Sequence, residues 1–166
     1  MSVVLSSSIS HYAFALDPVA AQRSRNKQNR LALAKTYFNE TATSNIIDVF
    51  PNGKAWLQTL PNLIADIEQE WQLTLEPQTR GNYAFVIPCG DHVLKLLPPG
   101  ETFNHELTTM LAWNGNGAAK IHMYDANRGA MLIERLRLGA ELTTLYHEGR
   151  DEEATEIACT LMPRLS

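Results

Sequence analysis

Two opposite charges, Lys95 and Glu106, stand where the chain reads as apolar interior. If His92 to Leu97 is a strand, alternation places Lys95 with Val93 and Leu97 on one face and Leu94 with Leu96 on the other, and both faces read as buried. In the segment that follows, Phe103, Leu107, Met110 and Leu111 recur at helical spacing. Glu106 falls on the Phe103, Met110, Trp113 side of that stripe. Both charges therefore point inward. An isolated charge taken out of water costs several kcal/mol and persists only when paired or hydrogen-bonded. Pairing Lys95 with Glu106 satisfies both groups, and it holds an ammonium on the floor of a sheet, where a phosphate could use it. Loss of either member of such a buried pair is expected to cost on the order of 3 kcal/mol, because the other is left stranded. Gly81-Asn82 is the second candidate. At a hairpin tip it is either an ordinary tight turn or a turn that lays backbone amides over a phosphate.

The elements that would position these groups are legible in outline. Trp56, Leu57, Leu60, Leu63, Ile64, Ile67 and Trp71 repeat at intervals of three and four, which predicts one amphipathic helix with Pro61 at a break or fresh start. Leu73 and Leu75 alternate as a short strand, and Tyr83 to Pro88 as a second, together a hairpin. The Lys95 strand follows the turn at Gly90-Asp91. Pro98-Pro99-Gly100 leads into the Glu106 helix with Thr102 as its cap, and Asn114-Gly115 closes it in the left-handed conformation. Ala119 to Tyr124 and Ala130 to Ile133 are strands joined by a turn at Asp125 to Gly129, in which Asp125 is structural. The expected fold is α+β: five antiparallel strands, one helix inserted after the third, packed on one side by a helix. After Gly139, Leu142 to Tyr146 is a short helical piece. Asp151 caps a helix through Ala154, Ile157, Ala158, Leu161 and Met162 that has an apolar face and no evident neighbour.

Residues 1–53 are poorly defined. Asp17-Pro18 could open a short helix, residues 31–38 have helical propensity and Asn39 to Asn45 reads as loop. The basic run over residues 22–30 is either a contact for phosphate or an acidic partner, or a solvated face. The division is thus 1–53, an organised unit over 54–136, and a further segment over 137–166.

Composition narrows the function classes. At 166 residues and 45% apolar content the chain can bury one core. The net charge is −4, with +2 on residues 1–53 and −6 on the rest, which argues against a general nucleic-acid binder. No apolar run approaches the roughly 20 residues of a membrane span, and the opening serine-interrupted stretch lacks the positive leader of a signal peptide. Cys89 and Cys159 read as two buried, reduced thiols, so a cytoplasmic location is expected. His105-Glu106 is not a zinc-protease start, since Thr109 stands where a second histidine is needed. Gly53-Lys54 is no phosphate-binding P-loop, and Asn114-Gly115-Asn116-Gly117 follows a helix rather than a strand, unlike a dinucleotide fingerprint. A nucleophile elbow is also absent.

From about Trp56 onward the chain resembles the amino-terminal lobe of the aminoglycoside and hydroxyurea resistance kinases, the streptomycin phosphotransferases above all. The matching text is Trp56-Leu57 with Leu60-Pro61 and Leu63, Trp71 through Leu75, Val93-Leu94-Lys95, His105-Glu106 with Leu111 and Trp113, Gly117-Ala118-Ala119, and Gly129 through Leu136. The resemblance implies a protein-kinase-like amino-terminal lobe over 54–136 that binds ATP with magnesium, preceded by N-terminal helices and followed over 137–166 by the hinge exit and the first helices of a truncated second lobe. Lys95 would contact the α- and β-phosphates and Glu106 would hold it. Glu134 and Leu136 would be a hinge offering a backbone carbonyl and amide to adenine, Leu132 or Ile133 would line the back of that pocket, and Gly81-Asn82 would cover the phosphates. Such kinases carry their catalytic His-Gly-Asp loop and a metal-binding Asp in a second lobe. No His-Gly-Asp occurs in this sequence. The resemblance therefore implies an amino-terminal portion of a small-molecule phosphotransferase, without turnover alone, which would meet an acceptor alcohol only if a second lobe is supplied. The alternative is a non-catalytic nucleotide-binding or interaction module, or a remnant without function. No nucleic acid or membrane partner is expected.

Overall fold

A computed structural model of the protein describes residues 37–77, 81–136 and 141–165. The helix expected after Asp17-Pro18, the basic run over 22–30 and most of 31–38 lie outside the described residues. Asn39 opens the first described helix, α1 (Glu40–Val49), where a loop was expected. Its side-chain oxygen accepts from the Thr41 and Ala42 amides at 3.0 and 3.3 Å, an N-cap that satisfies two otherwise orphan donors. Helix α2 (Gly53–Glu70) runs through Pro61 without interruption and buries Trp56, Leu57, Leu60, Ile64 and Ile67 along one stripe. Gly53 lets the two helices meet, because a Cβ there would collide with the Ile46 carbonyl.

Residues 73–77 form no strand, so among the described residues the sheet has four strands rather than five. That segment is tied to the sheet by a Glu76 amide to Pro88 carbonyl bond of 2.8 Å and by the Glu76 carboxylate, which accepts from the Gly90 amide at 3.3 Å and from Arg135. Pro77 interrupts the donors needed for a longer ladder. The strands are β1 (Phe85–Cys89), β2 (His92–Leu96), β3 (Ile121–Asp125) and β4 (Ala130–Glu134), antiparallel throughout, in the order β1-β2-β4-β3. Between β2 and β3 comes α3 (Glu101–Trp113), which starts at Gly100 with no side-chain cap; Thr102 lies inside the helix. Asn114 closes it in the left-handed conformation, as its sequence indicated.

Helices cover both faces of the sheet, not one. Phe85, Ile87, Leu94, Leu96 and Leu132 pack under α1 and α2, with Tyr37 and Ile46 in the same core. On the opposite face Leu97 and Met131 pack against Phe103, Leu107 and Met110 of α3. Leu111, expected in that stripe, is largely exposed. Helices α4 (Leu142–His147) and α5 (Asp151–Leu161) pair with each other and bury no residue fully; Arg150, not Asp151, occupies the α5 cap position. A 3₁₀ turn, Met162–Arg164, follows. The end of this segment is fastened to α3: the Trp113 indole donates to the Leu165 carbonyl at 2.8 Å and the Asn116 side chain to that of Arg164 at 3.0 Å.

The β3–β4 turn is held by ions. Asp125 accepts from the Asn127 and Arg128 amides at 3.0 and 3.1 Å, and Arg128 bridges Asp125 at 2.6 Å and Glu70 of α2 at 2.7 Å. Burial by itself would raise the Asp125 carboxyl, but the hydrogen bonds and charge of Arg128 outweigh it and hold the group below its usual value. A folded-state value below the unfolded one, about 3.9, contributes stability that is complete above the unfolded value and is lost as pH falls through the folded one. The stability difference between wild type and Asp125→Asn is therefore expected to be constant from pH 7 to 5 and to shrink below about pH 4. Denaturant titrations of both proteins across that range check it, and a gap that widens on acidification would contradict the assignment.

Candidate functional site

Strand β2 brings Lys95 to the α3 face of the sheet, between Val86 of β1 and Met131 of β4, its direct cross-strand partners. The rising segment Leu97 to Gly100 then delivers α3, whose second turn presents Glu106. The Lys95 ammonium and a Glu106 carboxylate oxygen form an ion pair. The pair is not buried as expected: the side chains remain 22% and 30% exposed. The cause is spatial. Lys95 and Glu106 lie at the edge of the apolar contact between sheet and helix, where a cavity of about 270 Å³ opens to solvent. Such a pair is partly hydrated, so its contribution to stability falls toward the surface range of about 0–1 kcal/mol rather than 3.

Gly81, Asn82, Lys95 and Glu106, chosen from sequence, all line this cavity, joined by Tyr83 and Thr102. Gly81 has φ of +110°, and a Cβ there would strike the Ala84 carbonyl. The turn thus requires glycine for conformation and for space. Glu134 and Leu136 do not line the cavity. Glu134 is the last residue of β4 and Leu136 lies beyond it: Glu134 pairs with His92, three residues along β2 from Lys95, about 10 Å at the strand rise. The Glu134 amide donates to the Lys120 carbonyl at 2.8 Å, and its carboxylate accepts from the Lys120 amide at 3.3 Å. Arg135 is anchored to the β1–β2 turn through its amide to the Asp91 carbonyl at 3.0 Å and its guanidinium to Glu76 at 2.6 Å. Leu136 is 70% exposed. Cross-strand register separates Leu132 from Ile133: Leu132 faces the α2 core with Leu94, whereas Ile133 pairs with Val93 on the Lys95 face. Val86, Val93 and Ile133 give that face a half-buried apolar strip running from Lys95 toward Glu134.

Sequence reasoning missed Asn39 and Asn45, whose side chains donate to the Gly81 and Asn82 carbonyls at 3.1 and 2.8 Å. A capping signal at Asn39 before Glu40 was present; nothing local pointed to a contact some forty residues away. Cys89 is buried and its thiol is pushed up chiefly by that burial, but Cys159 is exposed, which corrects the expectation of two buried thiols. No group of three metal-ligating side chains occurs among the described residues, and no helix among them is long and apolar enough to cross a membrane.

The family model for aminoglycoside/hydroxyurea antibiotic resistance kinases matches residues 78–166, and the chain belongs to that family. A streptomycin 6-kinase of Streptomyces glaucescens is 30% identical over 119 residues, which cover 68% of this chain and 38% of that protein. A hydroxyurea phosphotransferase of Kitasatospora aureofaciens is 30% identical over 120 residues, 69% of this chain and 35% of that protein. A streptomycin 6-kinase of Streptomyces griseus is 31% identical over 119 residues, with 68% and 38% covered. The chain thus spans little more than a third of the length of these relatives. No solved structure matches it.

Proposed function

We propose that residues 37–136 form a kinase-like lobe that binds ATP, in a cytoplasmic phosphotransferase acting on an alcohol group of a small molecule of the streptomycin or hydroxyurea type. The observation that carries the reading is the convergence of Lys95, Glu106 and the Gly81-Asn82 turn on one cavity. Lys95 holds the α- and β-phosphates, and Glu106 fixes the lysine without neutralising its remaining donors, since an ammonium has three. The apolar strip of Val86, Val93 and Ile133 receives the adenine ring. The hinge is the segment after β4, with the Glu134 carbonyl and the Leu136 amide as adenine partners. The separation of about 10 Å between Lys95 and the Glu134 row suits a nucleotide whose base lies at the hinge and whose phosphates reach the lysine. Magnesium would be held by carboxylates of a second lobe together with the phosphates. Without the His-Gly-Asp loop this chain supplies nucleotide binding and no base. The acceptor would meet it only when a second lobe closes the site. Two free thiols and the charge of −4 accord with a cytoplasmic protein that binds neither membrane nor nucleic acid.

The test is a thermal-shift titration of the whole chain with magnesium and ATP, with adenosine and tripolyphosphate as separate probes. Millimolar ATP is expected to raise the midpoint by about 3 °C, the size of a gain near 1 kcal/mol. No shift at 5-fold the millimolar range, roughly 5 mM, or an equal shift from tripolyphosphate alone, overturns the reading.

A further inference from the structure

Helix α1 stands before the segment that the family model matches, yet it reaches into the site. The Asn39 amide group donates to the Gly81 carbonyl at 3.1 Å and the Asn45 amide group to the Asn82 carbonyl at 2.8 Å. These are the two consecutive peptide carbonyls of the turn that lines the Lys95 cavity. In a planar trans peptide the carbonyl and the following N–H point in opposite directions, and none of the described peptides is cis. Drawing the Gly81 and Asn82 oxygens toward α1 therefore turns the Asn82 and Tyr83 amides away from that helix. Neither amide donates to another described residue, while both residues line the cavity together with Lys95.

On the reading of this cavity as a nucleotide site, we infer that Asn39 and Asn45 are positioning residues for the phosphates: α1 is a clamp that fixes the turn with its carbonyls outward and two amides presented to a polyphosphate. Two consecutive N–H groups aimed at one point form an anion-binding concavity, but a turn with a single glycine is free to flip its peptides. Flipped, the same turn would offer carbonyl oxygens and repel phosphate. The asparagines remove that choice from outside the loop. Asn39 also caps α1 through its other side-chain atom, so the helix and the turn are locked by one residue. Asn45 lies one and a half turns further along the helix and secures the second peptide. The clamp acts on phosphates and leaves the base untouched, which sets it apart from a general contribution to folding.

The experiment compares ATP and adenosine binding to the whole chain in wild type, Asn45→Ala and Asn39→Ser, the serine chosen because it keeps a capping oxygen but cannot reach Gly81. Each variant is expected to weaken ATP about fivefold, and the pair together more than tenfold, the size of one or two lost neutral hydrogen bonds. Adenosine affinity should stay within twofold of wild type. Unchanged ATP affinity in both variants, with wild type binding ATP, overturns the clamp and leaves the nucleotide site standing. An equal loss of ATP and adenosine also overturns it, by assigning the asparagines to the fold alone. Failure of wild type to bind either probe removes the nucleotide reading, and the clamp falls with it.

Discussion

Lys95→Met is expected to lower ATP affinity by tenfold or more while changing the unfolding free energy by no more than about 1 kcal/mol. The two halves of that expectation have different origins. At the phosphates, an ammonium at about 4 Å and an effective dielectric near 20 contributes several kcal/mol of attraction before desolvation is subtracted. Charge-assisted hydrogen bonds retain about 1.5–3 kcal/mol net, a factor of ten to one hundred in affinity. Within the fold the same lysine meets a glutamate that is 30% exposed and can be hydrated when its partner is removed. Glu106→Gln should be milder for the ligand. The amide oxygen still accepts from the ammonium, so Lys95 stays near its place and ATP weakens only a few-fold, about 1 kcal/mol or less. Isothermal titration with ATP and denaturant unfolding of the three proteins measure both quantities. A loss of several kcal/mol of stability in Lys95→Met with ATP affinity intact would make the pair a strut between β2 and α3 and nothing more.

The largest expected loss of stability comes from a residue without chemistry. Gly129→Ala is expected to cost about 3 kcal/mol, the sum of a left-handed conformation for a residue with a Cβ and a steric clash that the backbone must relieve. Gly129 has φ of +67°, and its Cβ would overlap the Leu97 carbonyl and stand 3.0 Å from the Pro99 nitrogen. The contact is a crossing of two backbones: the Leu97 amide donates to the Gly129 carbonyl at 3.1 Å, just where the chain leaves β2 for α3. Pushing the β3–β4 turn off Leu97 therefore disturbs the segment that carries Glu106 to Lys95, and ATP binding should weaken alongside stability. Gly90→Ala is the control. Its φ of +63° imposes the same conformational strain, but nothing lies within 4 Å of the added carbon. About 1 kcal/mol is expected there. Equal costs at the two positions in denaturant unfolding would refute the backbone crossing.

Strand alternation over 92–97 put Lys95 on the correct face, and helical phase brought Glu106 toward it; both are properties of a single element's own geometry. Their degree of burial is not legible in either element alone, because exposure depends on where an element ends against its neighbour. Periodicity admits Leu111 to the α3 stripe, yet the folded chain leaves it exposed. The polar composition of Asn39 to Asn45 suggests a loop, but the cap at Asn39 with Ile46 buried against α2 shows how tertiary packing overrides weak propensity. Leu73 and Leu75 alternate as a strand would, yet the segment next to Pro77 meets β1 through the Glu76 amide without forming a ladder.

By itself the sequence determined which residues could be partners and the family to which the chain belongs, because side-chain type, period and motif order are written along one dimension. Only the folded chain decided that Ile133 rather than Leu132 shares the Lys95 face, that helices cover both sides of the sheet, and that α1 grips the Gly81-Asn82 turn. Each of these follows from pairing between segments distant along the chain. Such pairings are chosen by the total burial and hydrogen bonding of the whole assembly, a sum that no local stretch contains.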